Sequence, residues 1–62
     1  MDKKQLDLLL SKLRQPIHIN YISQYILKEN MEKTKEIINQ LVEENLVEES
    51  KYSKEYYVIK NV

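Results

Sequence analysis

The chain has 62 residues, 42% hydrophobic and 32% charged, with 10 Lys plus Arg against 10 Asp plus Glu, so its formal net charge is zero with the single His neutral. That balance belongs to one small globular domain spanning 1–62 rather than to a disordered segment. With no Cys, one His and no Gly, disulfides, Cys-based or multi-His metal sites and Gly-rich phosphate loops are excluded. No run approaches the ~18 apolar residues of a membrane span, and the amino end shows no secretory pattern. The expectation is a cytoplasmic protein with no metal, cofactor or membrane partner. A chain this short buries only about 60% of its surface and has little volume for a walled pocket of ~300–1,000 Å³. It is therefore expected to bind with its surface and not to be an enzyme.

The first predicted helix starts at Asp2, a cap with Gln5 placed for a capping box. Leu6, Leu9, Leu10 and Leu13 recur on one face, Leu8 lies off that stripe, and Pro16 ends the helix near Arg14 or Gln15. Ile17-His18-Ile19 alternates and reads as a stub of strand with His18 outward. Asn20 is the expected cap of a second helix over 21–28, with Ile22 and Ile26 in the core and Leu27 pointing elsewhere. Tyr21, Tyr25 and Lys28 form a row expected to cover the flank of the core. Asn30 caps a third helix over 31–44, whose apolar positions are Ile37, Ile38, Leu41 and Val42 with Thr34 one turn earlier. Asn45 takes the left-handed position that Gly usually fills. The period then changes to that of a β-hairpin, with strands over 46–50 and 55–60 and a polar loop Lys51-Tyr52-Ser53-Lys54 between them. Tyr57 and Ile59 are expected in the core, and Tyr52 exposed at the tip. Leu8, Leu27, Val42 and Val62 are in excess of one small core.

The order helix, short strand, helix, helix, hairpin resembles a winged helix-turn-helix domain, an α+β fold, over nearly the whole chain. The stretch Ile38-Asn39-Gln40-Leu41-Val42-Glu43-Glu44-Asn45-Leu46-Val47-Glu48-Glu49 is similar to a recognition helix ending in acidic residues and Gly-Leu-Val before the wing, with Asn45 at the usual Gly. Ile22-Ser23 matches the apolar-small pair of the second helix, and Tyr56-Tyr57-Val58-Ile59 the returning wing strand. The resemblance implies DNA binding as the common use, with the third helix in the major groove and the wing on phosphate or minor groove. Winged helices also serve as protein–protein modules.

At 100° per residue, the outward side of the third helix is centred on Glu32, Glu36, Asn39 and Glu43, with Lys33, Lys35 and Gln40 on its shoulders. Three carboxylates on that midline oppose a duplex carrying one phosphate per ~1.7 Å. The chief guanine reader is Arg or Lys, and the only Arg is Arg14. Contact duties then move to the wing and the basic ends. Lys51, Tyr52, Lys54 and Lys60 are the first candidates and Lys33 and Lys35 the next, because lysines interleaved with tyrosines suit single-stranded DNA as well as duplex.

A different class of function stays open. The acidic ridge Glu32, Glu36, Asn39 and Glu43, with Glu44, Glu48 and Glu49 beyond it, would fit a basic partner surface. The chain would then be an accessory subunit of a larger replication or transcription complex, of the kind found in phages and mobile elements, its partner encoded in the same operon. A dimeric repressor would need an interface that only the first helix offers.

Overall fold

A computed structural model of the chain describes residues 2–60. They form a small α+β unit of three helices and one three-stranded antiparallel sheet. Helix α1 spans Lys3–Lys12 and strand β1 Ile17–His18. Helix α2 begins at Ile19–Tyr21 and continues as a π-helical turn, Ile22–Leu27; helix α3 spans Met31–Glu43, β2 Val47–Glu49 and β3 Tyr56–Ile59. Val62, counted among the surplus apolar residues, lies outside the described residues.

In α1 the Asp2 carboxylate accepts the Lys4 amide at 3.1 Å, one residue earlier than the capping box with Gln5 expects. Leu9 and Leu13 are fully buried, Leu6 and Leu10 pack at the margin, and Leu8 is 49% exposed. The helix stops at Lys12, short of the expected Arg14. Leu13 closes it, and the Leu13 carbonyl leaves the helical ladder to accept the Ile59 amide of β3 at 2.9 Å.

The second helix departs most from expectation. His18, not Asn20, is its cap: His18 Nδ1 accepts the Asn20 amide at 3.0 Å, and the helix opens at Ile19, which is buried. The π turn then widens the repeat, so that residues five apart share a face. Leu27 therefore falls below Ile22 and is buried, 3% exposed, where a 3.6-residue repeat turns it outward. Lys28 ends the helix in the left-handed region (φ 54°), and the Glu29 amide and Ser23 hydroxyl close the turn on Ser23 O (3.0 Å) and Glu29 O (2.6 Å). Tyr21 and Tyr25, expected to cover the flank of the core, stand largely in solvent. Their rings lie 4.9 Å apart and shield each other, leaving the residues 52% and 64% exposed.

Helix α3 is capped by Asn30, whose side chain accepts the Lys33 amide at 2.7 Å. Thr34, Ile38 and Leu41 are its buried positions, and Ile37 packs at the margin. Val42, an apolar position of the helix counted among those in excess of the core, is exposed. The helix ends at Glu43, and Asn45 adopts the left-handed conformation (φ 62°) that its place demands.

The two hairpin strands are one residue shorter than expected at each end, and β1 ends one residue early. Their order is β1-β3-β2, with Ile17 opposite Tyr57, His18 opposite Tyr56, Val47 opposite Ile59 and Glu49 opposite Tyr57. Because side chains alternate across a strand, Tyr57 and Ile59 pack on the core while Tyr56 faces outward. The core they complete is built from Leu9, Leu13, Ile22, Ile38 and Val47, with Ile19, Ile26, Leu27 and Leu41 around them. Among the described residues no helix is long and apolar enough to cross a membrane.

Candidate nucleic-acid interface

The loop between β2 and β3 carries Lys51, Tyr52 and Lys54, all exposed, and Tyr52 is 95% exposed. The loop is tied at its root. The Ser50 amide donates to Tyr56 O at 2.6 Å, and the Ser50 hydroxyl oxygen accepts the Tyr52 amide at 3.2 Å. Glu55 turns the chain in the left-handed region, with φ 68°. That conformation costs about 1–2 kcal/mol in a residue with a Cβ. Three contacts offset it: Glu55 N–H donates to Glu49 Oε2 at 2.8 Å, Glu55 O accepts the Ile19 amide at 2.9 Å, and Glu55 Oε2 lies 3.4 Å from His18 Nε2.

Glu49 directs its carboxylate at the Glu55 amide of the hairpin root and Glu55 at His18, while Lys51 and Lys54 flank Tyr52 in the loop. The same carboxylates act on Tyr57, across from Glu49. Burial raises its phenol above the ordinary value of 10.0, and the charges of Glu49 and Glu55 raise it further.

His18 is not a free outward side chain. It is half-buried, caps α2 through Nδ1 and forms a T-shaped pair with the Tyr56 ring, with centroids 5.1 Å apart and planes at 85°. Sequence reasoning missed this hinge. The available signal was an acceptor nitrogen placed just before the first turn of a helix, the job of a cap.

The other candidates separate. Lys60 stands at the opposite end of β3, its ammonium 3.3 Å from Asn45 Oδ1. About 17 Å of extended chain divides Glu55 from Lys60 at ~3.3 Å per residue. The Leu13–Ile59 bond brings the end of α1, with Lys12 and Arg14, to this same end of the sheet. Exposed Tyr56 lies between the two basic ends. Lys33 and Lys35 are both exposed but sit about 160° apart around α3, and Lys33 lines a cleft with Glu29 and Glu36. Glu32, Glu36, Asn39 and Glu43 are all exposed on α3, as the wheel expects. Among the described residues, none of these carboxylates has a Lys, Arg or His nitrogen within ion-pair distance.

Comparison with protein families, with curated proteins and with solved structures finds no match to this chain.

Proposed function

We propose that the chain is a winged helix-turn-helix module that binds DNA with little sequence specificity, using the wing and the basic ends of the sheet instead of inserting α3 into the major groove. The order of elements and the central place of β3 support the winged-helix reading. The observation that carries the functional one is the wing tip: an almost fully exposed Tyr52 between two lysines, with the neighbouring carboxylates engaged elsewhere. An exposed ring stacks on an unpaired base for about 1–3 kcal/mol, which favours single-stranded DNA. Lys51 and Lys54 neutralise phosphate beside it. Tyr56 offers a second ring on the outward face, and Lys60 with Arg14 a second basic end.

The test is a fluorescence-polarisation titration of a single-stranded oligonucleotide and its duplex at low and moderate salt. Single strands should bind more tightly. Two to four neutralised phosphates predict a log–log salt slope of about −1.4 to −2.8, at about −0.7 per contact. Tyr52→Ala should weaken single-strand binding by about 1–3 kcal/mol. No binding to either form, or binding indifferent to salt, would contradict the proposal.

A further inference from the structure

A cleft of about 390 Å³ runs between the first turns of α1 and the length of α3. Leu6, Ile37 and Leu41 supply its apolar lining. Glu29, Glu36 and Glu44 supply its charge, opposed within the cleft by Lys33 alone. Gln40 Nε2 donates to Glu44 Oε2 at 3.4 Å and holds that carboxylate along the cleft wall. None of the three carboxylates forms an ion pair among the described residues, and the last turn of α3 carries no basic residue. Glu44 caps the C-terminus of α3, where a carboxylate is unfavourable, and with Lys33 counted the cleft still carries an excess of negative charge.

We propose that this cleft is the docking site of a basic amphipathic helix from another protein. The complementary charge is positive, and the apolar lining needs anchors spaced along one face. The cleft is walled by side chains of two helices and presents no free strand edge to pair with. Its occupant must satisfy its own backbone, as a helix does. The stretch of α3 from Lys33 to Glu44 is about 16 Å long at 1.5 Å per residue, room for about three turns of a partner with apolar residues at i, i+3 or i+4, and i+7. This site is separate from the wing, and neither reading depends on the other.

The probe is a fluorescent peptide helix with a Leu row flanked by Lys, titrated into the full chain by anisotropy. Binding is expected, with loss when the Leu row becomes Gln and when the Lys residues become Glu. Glu36→Lys with Glu44→Lys, both exposed positions that leave the core intact, should weaken binding about tenfold, or 1.4 kcal/mol. Asp7→Lys with Glu48→Lys makes the same change in net charge outside the cleft and should leave the affinity within about twofold. Four results would overturn the proposal: no binding, equal weakening by the two double variants, indifference to the Leu row, or a sedimenting dimer that Glu36→Lys with Glu44→Lys dissociates, which would make a second copy the occupant. DNA titrations of the same variants separate this outcome from failure of the wing.

Discussion

Thr34 is fully buried on α3, and its hydroxyl oxygen has no hydrogen-bond partner among the described residues. A buried polar group left unpaired costs about 1–3 kcal/mol. Thr34→Val keeps the branched shape and removes that group. It should stabilise the fold by about 1 kcal/mol, a rise of ~4–8 °C in Tm for a domain of this size, measurable by thermal denaturation; a fall in Tm would show that the hydroxyl is satisfied in solution. Tyr57 makes a pH prediction. Its folded pKa is raised above 10.0 by burial and by the charges of Glu49 and Glu55, so the folded protein holds the phenolic proton to higher pH than the unfolded chain. The contribution of Tyr57 to stability is complete below its unfolded pKa and is lost as pH rises through the folded value. Urea midpoints should fall across that alkaline window, and Tyr57→Phe should reduce the fall. An unchanged fall would place its cause in other groups.

At the scale of elements, the π turn of α2 makes the clearest prediction. Leu27→Ala removes a buried side chain and should cost about 2–5 kcal/mol. Leu8→Ala removes a half-exposed one and should stay within about 0.5 kcal/mol. Denaturant titration of the two variants checks this, and equal losses would contradict the π turn. The sequence treats both leucines alike, as residues off a 3.6-residue stripe, because a widened turn leaves no mark on hydrophobic spacing. The stripes of α1 and α3 were legible because both helices keep the regular repeat, so Leu9, Leu13, Ile38 and Leu41 fall where periodicity places them. Asn45 was legible because few residues tolerate a left-handed position. The His18–Glu55 hinge was not, because it joins residues 37 positions apart that only the β1–β3 register brings together. In the hairpin, alternation separates Tyr56 from Tyr57, but the placement of the Glu49 and Glu55 carboxylates depends on the turn geometry at a non-Gly residue.

At the scale of the molecule, a neutral chain divides its charge between surfaces. Lysines stand on the hairpin loop, and Lys12, Arg14 and Lys60 where β3 meets the end of α1, while α3 presents carboxylates outward and into the α1–α3 cleft. A fold measuring 25 × 21 × 18 Å is smaller than the distance over which one duplex turn, ~34 Å, repeats. On the proposed reading the chain touches only a short stretch of nucleic acid, and which surface it uses decides the mode. The most direct test is an amide shift map by NMR as an oligothymidylate is added to the full chain. The predicted changes centre on Lys51, Tyr52 and Lys54 and extend along β3 through Tyr56 to Lys60. Changes centred on Glu32, Glu36 and Asn39 would place α3 against the nucleic acid and contradict recognition by the wing.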